Sequence, residues 1–354
     1  MTRTICFDLE GPLSPQDNAY DVMSLVENGD KIFEVISKYD DTLALENREG
    51  YEPGDTLALI VPFLLRHNIS EEDITRVSKR AKIVDGAKYL VSKLKSDGWG
   101  VYIISTSYEQ HAYNIGAQLG VPKENIVCTR LSLSALRDEM KGDFSVIERV
   151  EKNILELYEH IEAPEKIVHR LDKFFFEELP RTGYGNVLDR VKVIGGAKKV
   201  AAVHKIVEAN NTSLSDVMAV GDSITDYKML KDVRENGGVA VVFNGNEYAI
   251  PYASIGLASL DIRFLYLLTR LGRKDLMFEM AKSWEVERPE FENDPGLISE
   301  NLITPEFRRF LLESRVEVPY FSYLDGADEK KMSEVIKIHK RFRALIRGAA
   351  AKLG

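Results

Sequence analysis

The sequence predicts an α/β fold in which a parallel sheet is covered by helices on both faces. Three observations carry this. Short apolar, β-branched runs alternate with stretches of helical spacing over about 83–135 and 187–260, the pattern of strand–helix–strand units. Several of those runs end in carboxylates or hydroxyls, at the strand ends where parallel sheets bind ligands. Two stretches that carry helical spacing and no such alternation, 15–82 and 136–186, interrupt the pattern as insertions.

The elements follow in order. Thr4–Phe7 is β-branched and apolar and stops at Asp8-Leu9-Glu10-Gly11-Pro12, so it reads as a short buried strand. In the first insertion, "NISEEDITRVSKR" opens with Ser70 as an N-cap and Asp73 three residues on. From Val84 a helix leads through Asp97–Gly98 into a strand over Val101–Ile104, which ends at Ser105-Thr106-Ser107. A helix closed by Gly120 and the strand "NIVCTRLSL" follow. In the second insertion Ile147, Val150, Ile154 and Leu157 share one helix face. "AKKVAAVHKIVEA" is helical, "DVMAV" is a strand ending at Gly221-Asp222, and "GGVAVVFNG" is another strand. Beyond about 261 the chain reads as helix and loop. It ends in a basic helix with Met332, Val335, Ile336, Phe342 and Leu345 as its apolar stripe, expected to pack on its own domain with its charges in water. The expected units are therefore a core of 1–14, 83–135 and 187–260, a helical cap at 15–82, a second insertion at 136–186, and a C-terminal extension at 261–354.

The 354 residues carry a net charge of −9 and are 44% hydrophobic and 29% charged. A soluble globular protein fits, and the acidic balance speaks against general nucleic-acid binding. Asp8 and Glu10 interrupt the first apolar run too early for a secretory signal, and no apolar run approaches the length of a membrane span. Cys6 and Cys128 form no CxxC pair, which argues against a disulfide framework or a thiolate zinc site and fits a reducing cytoplasm. The six histidines show no metal-ligand pairing and read as structural or surface residues. The Phe174–Phe176 run reads as cap core rather than a stacking platform.

The chemistry-bearing residues converge at strand ends: Asp8 and Glu10, Ser105, and Asp222 with Asp226 four residues later in the opening turn of a helix. Carboxylates meeting there repel unless a cation lies between them, and Mg²⁺ suits hard oxygen ligands and a phosphate. A lysine from Lys198-Lys199 and a hydroxyl would complete an anion site. Phosphoryl transfer suits this set, with one carboxylate attacking phosphorus and another moving the proton.

The motifs "FDLEGPL", "VYIIS", "GAKKVAAVHKI" and "VMAVGDSITD", in that order, resemble the haloacid dehalogenase-like (HAD) superfamily of phosphatases and phosphotransferases. The resemblance covers roughly 1–14, 83–135 and 187–260. It implies a HAD-like Rossmannoid core with a helical C1-type cap, a second insertion at the C2 position and a helical C-terminal extension. It implies Asp8 as nucleophile and Mg²⁺ ligand, and Glu10 as acid/base with its backbone carbonyl on the metal. Ser105 and Lys199 would hold the phosphoryl group, with Lys198 in reserve. Asp222 would bind Mg²⁺, and Asp226 would support the metal shell or the lysine. Two positions depart from the family pattern: Glu10 stands where Asp is usual, and Pro12 where Thr or a β-branched residue is usual. "DLEG" also resembles the first motif of the acireductone synthase and phosphoserine phosphatase-like groups. The function implied is a Mg²⁺-dependent phosphatase acting on a small phosphorylated metabolite through an aspartyl-phosphate. The alternatives are a phosphotransferase to an acceptor other than water, and a HAD-fold subunit that binds a protein partner. The whole-chain arrangement is also similar to archaeal HAD proteins named for the energy-converting hydrogenase A subunit R. A homo-oligomer stays open.

Overall fold

The computed structural model describes residues 3–46, 48–139, 144–161 and 164–353. Residues 140–143 and 162–163 of the second predicted insertion lie outside that set. Among the described residues one sheet runs in the order β3-β2-β1-β4-β5-β6-β7. Its strands are β1 Thr4–Phe7, β2 Gly100–Tyr108, β3 Ile126–Thr129, β4 Val217–Gly221, β5 Val239–Phe243, β6 Ile255–Ala258 and β7 Tyr320–Tyr323. The first six are parallel; β7 runs antiparallel to β6. The chain moves from β1 outward to β3, then returns to β1's other side at β4. That reversal is where an open parallel sheet leaves a crevice at its carboxyl edge.

Both faces of the sheet are covered, as the near-continuous apolar strands require. Ile5, Phe7, Val101, Ile103, Met218 and Val220 pack on one face, and Cys6, Ile104, Val217 and Ala219 on the other. Both cysteines are buried and free.

Three elements differ from the sequence reading. β2 runs on through the hydroxyl residues to Tyr108, with a register shift against β3 between Ser105 and Tyr108. These polar residues are buried in the strand, which the apolar pattern does not report. β3 ends at Thr129, and Leu133 opens a helix, Leu133–Glu139. The extension is mainly helical but supplies β7, whose four residues are too few to show alternation. Pairing with β6, β7 covers a backbone edge that would otherwise be open.

The two insertions, distant in sequence, share one hydrophobic core. Phe63 lies against Phe174, with centroids 6.4 Å apart, and Tyr39 stacks on Phe175 at 6.0 Å. Arg66 pairs with both Glu148 and Glu151, and Arg48 with Asp172. Phe174 and Phe175 are thus cap core, as expected. They sit on a π-helical turn, Lys173–Glu178, whose wider winding aims consecutive rings inward. Ser70 and Asp73 form the reciprocal capping box that their spacing predicts.

The C-terminal helix, Glu329–Arg347, does more than present charges to water. Val335, His339, Phe342 and Arg343 are buried in it, while Leu345 of the predicted stripe is 61% exposed. Beyond it, Ala350 and Leu353 join the cap core, and Lys352 pairs with Glu34 at 2.8 Å. The chain end therefore ties the sheet domain to the cap.

Candidate active site

The site forms where β1, β2 and β4 end. The β1–β4 ladder continues one step past β1: the Asp8 N–H donates to the Val220 carbonyl at 2.8 Å. This aligns Asp8 with the end of β4 and brings carboxylate oxygens of Asp8, Asp222 and Asp226 within 4.8 Å of one another. All three residues are buried. Gly11 makes the approach possible. Its φ is +106°, and a Cβ there would stand 2.2 Å from Asp222 Oδ2. The neighbouring Pro12 costs the loop nothing. Its closing bonds come from Gly11 N to Ser14 O (2.7 Å) and from Leu13 and Ser14 N to Leu9 O (2.9 and 2.8 Å).

Lys199 lies at the centre of this carboxylate group. Its Nζ is 2.6 Å from Asp8 Oδ1 and 2.7 Å from Asp226 Oδ1, and the side chain is fully buried. It lies on the helix Ala197–Ala209, on the face shared with Ala202, Val203 and Ile206. Lys198 is one position off that face, half-buried and away from the carboxylates.

Asp226 is fully engaged. Besides Lys199 on Oδ1, its Oδ2 accepts the N–H groups of Asp222 (2.9 Å) and Ser223 (3.1 Å). It therefore shapes the turn after β4 and fixes the lysine. Asp222 differs: its Oδ1 is buried without a hydrogen-bond partner. A buried carboxylate oxygen without a donor is costly, and beside Asp8 it suits a hard divalent cation. The residues present therefore fit Mg²⁺, with Asp8 and Asp222 the ones placed to hold it.

The other oxygen of Asp222 has partners that sequence reasoning missed. Oδ2 accepts from Arg343 Nη1 and, at 3.0 Å, from Arg347 Nη1, both on the C-terminal helix. Arg343 also binds the carbonyls of Ala351 (3.0 Å) and Leu353 (2.9 Å). One guanidinium thus fastens the chain end onto Asp222.

Ser105 is buried, and its Oγ accepts the Ser107 N–H at 3.1 Å. The next residue, Thr106, lines the cavity over Asp8, and its buried hydroxyl has no partner. A run of three hydroxyls at a strand end was the available signal for it. Glu10 also lines this cavity. Its Oε1 accepts the Asn18 N–H at 2.9 Å, with His111 Nε2 at 3.8 Å behind it. His111 and His339 are buried, and burial lowers both to about 3, so they are neutral packing residues.

The cap closes over the site. Glu52 accepts from Ala197 N (2.9 Å) and Lys228 Nζ (2.8 Å), latching the cap loop to the lysine helix. The cavity beneath it is about 60 Å³. At roughly 10–15 Å³ per water, that is space for a few waters.

Burial dominates the electrostatics. It pushes Asp8 up to about 7, helped by Asp226 and opposed by Lys199. Glu10 rises to about 8, through burial and then the nearby Asp17. Asp40 rises to about 8, Asp41 to about 7 and Asp21 to about 6, also chiefly by burial. Unfolded carboxyls titrate near ~4. Between there and about 8 the folded chain holds more protons on these groups than the unfolded chain, so stability falls as pH rises. The expected result is a higher urea midpoint at pH 5 than at pH 8 for protein kept in chelator. A higher midpoint at pH 8 would overturn the assignment.

A family model described as haloacid dehalogenase-like hydrolase matches residues 68–259. No curated protein matches the chain. Among solved structures, a gene product of Archaeoglobus fulgidus is similar over 100% of this chain and 99% of its own, with 28% identity and a TM-score of 0.78. A substrate-bound phosphoserine phosphatase complex is similar at 17% identity over 75% of this chain and 97% of that one, with a TM-score of 0.49. The L-2-haloacid dehalogenase of Xanthobacter autotrophicus matches at 13% identity over 71% and 81%, with a TM-score of 0.33.

Proposed function

We propose that this chain, which belongs to the haloacid dehalogenase-like hydrolase family, is a phosphatase that hydrolyses a small phosphomonoester through an aspartyl-phosphate on Asp8. One observation carries the reading. A buried carboxylate at a strand end is held by a buried lysine 2.6 Å away, and Asp222, with an unpartnered oxygen, lies beside it. A purely structural ion pair gives no reason for the carboxylate beside it to keep one buried oxygen without a donor.

The residues divide the work as follows. The Asp8 carboxylate attacks phosphorus, and the bond from phosphorus to the ester oxygen breaks. Glu10, pushed up to about 8 and so protonated at neutral pH, gives its proton to the departing oxygen. The resulting Glu10 carboxylate then takes a proton from water as that water attacks the aspartyl-phosphate, freeing phosphate and Asp8. Lys199 and the hydroxyl of Thr106 or Ser105 hold the phosphoryl oxygens, and Asp226 holds Lys199. Asp8, Asp222 and the backbone carbonyl of Glu10 would hold Mg²⁺, which when bound would supply neutralisation of charge on the phosphoryl oxygens. The extra methylene of Glu10 is accommodated because its carboxylate is anchored by Asn18 N–H. The closed cap excludes water during attack, and the small cavity favours a small substrate. A cytoplasmic setting, with its Mg²⁺ and reduced thiols, fits this reading.

The test is turnover of p-nitrophenyl phosphate and a panel of phosphometabolites with Mg²⁺ and with chelator. Mg²⁺-dependent release of phosphate is expected. Its absence on every substrate, with the protein running in a larger complex in native extract, would favour a partner-binding subunit instead. Glu10→Gln refines the mechanism. The Gln carbonyl keeps the Asn18 bond, but no proton can be given or taken. The expected loss in kcat is roughly 10²- to 10⁴-fold, smaller for p-nitrophenyl phosphate, whose leaving group needs no proton. Acid-stable phosphoprotein should accumulate less than one equivalent in the wild type and approach one in this variant with that substrate.

A further inference from the structure

We propose that Arg347, from the C-terminal helix, is a phosphate-binding residue of this site. The inference rests on the phosphatase reading and extends it to a residue outside the family's four motifs. The Arg347 side chain is 5% exposed and lines the cavity with Asp8, Glu10 and Thr106. A guanidinium carries five N–H donors. Among the described residues its side chain donates from Nη1 to Asp222 Oδ2 at 3.0 Å, and its Nε is buried without a partner. Arg343 already supplies Asp222 with a buried guanidinium and fastens the helix end. A second one is redundant for Asp222 alone. Arg347, the residue with the unpartnered Nε, lines the cavity, where an anion would satisfy it.

Charge balance points the same way. Among the six side chains ion-paired there, Asp8, Asp222 and Asp226 meet Lys199, Arg343 and Arg347, so these six charges cancel, while Glu10, Asp17, Asp40 and Asp41 also line the cavity. A divalent cation then leaves an excess of two positive charges, which is what a phosphomonoester or phosphate dianion neutralises. Without the two arginines, the three carboxylates, Lys199 and a divalent cation would already sum to zero, and a buried dianion would be uncompensated. Arginine is always charged, and its planar fork suits phosphoryl oxygens.

Isothermal titration of the Mg²⁺-loaded full-length chain with inorganic phosphate tests this. Arg347→Gln should bind phosphate roughly 10- to 100-fold more weakly, the loss of one or two charge-assisted bonds, and Arg347→Lys should fall between. Mg²⁺ affinity, titrated separately, should be unchanged or higher, since a competing cation has left Asp222. Thermal melting confirms that the variants fold; should Arg347→Gln unfold, the lysine variant carries the same comparison. Equal phosphate affinity in wild type and variant, or no phosphate binding by the wild type, would overturn the proposal. So would a loss of kcat/KM confined to substrates with a second anionic group, because Arg347 would then read the leaving group. Arg347-dependent phosphate binding without turnover of any monoester would keep this inference and sink the phosphatase reading.

Discussion

Asp8→Asn should abolish turnover while leaving the fold intact. On the proposed mechanism, an amide in place of the attacking carboxylate blocks formation of an aspartyl-phosphate, so a loss of roughly 10⁴-fold or more in kcat is expected on every substrate. The amide oxygen can still accept from Lys199, so the site need not rearrange. The substitution also removes a buried carboxyl pushed up to about 7. Its burial costs the folded state stability above the usual carboxylate range, so at pH 7 and above the melting temperature of metal-free protein should hold or rise. Steady-state kinetics beside a melting curve checks both. A variant within tenfold of wild type would rule out Asp8 as nucleophile.

Lys199→Met should be costly in both activity and stability. Among the described residues Lys199 is the one cation bonded to both Asp8 and Asp226, at 2.6 and 2.7 Å in a fully buried position. Without it, two buried carboxylates face each other with no donor between them. Breaking a buried pair from one side costs about 3–5 kcal/mol, and Asp8 should shift further upward, protonating the nucleophile at neutral pH. Activity should fall roughly 10²- to 10³-fold even with Mg²⁺ present, the scale of losing one preorganised charge on a reacting anion. Denaturation in chelator measures the stability term. Adding Asp226→Asn should recover part of it, because the second change removes one of the stranded charges. No recovery would mean that Lys199 stabilises through its packed stem rather than its charge.

The C-terminal helix changes what the extension is for. It puts two guanidinium groups on Asp222 and its last residues into the cap core. The site is thereby assembled from β1, β4, the lysine helix and a segment more than a hundred residues further on. The full-length similarity to the Archaeoglobus fulgidus protein includes this segment.

Local chemistry determined much of this protein by itself. Alternating strands and helices set the parallel sheet, because apolar β-branched runs must be covered on both faces. Asp8 and Glu10 were legible as carboxylates at a strand end, and Asp222 and Asp226 through their four-residue spacing at the next strand. The lysine pair was legible too, with Lys199 preferred by its match to the family motif, and the fold places Lys199 on the face shared with Ala202, Val203 and Ile206. What the tertiary structure decided lies at longer range. That Thr106 rather than Ser105 faces the cavity depends on the twist and register shift of β2. That two insertions make one cap depends on aromatic packing between Phe63 and Phe174 and between Tyr39 and Phe175. Arg343 and Arg347 lie 121 and 125 residues from Asp222. On a basic amphipathic helix they look like any other solvated charges. Only folding, which brings the helix across the end of β4, gives them a buried carboxylate to neutralise and a cavity to face. Periodicity reports which side of an element is buried; it says nothing about which distant charge will be buried against it.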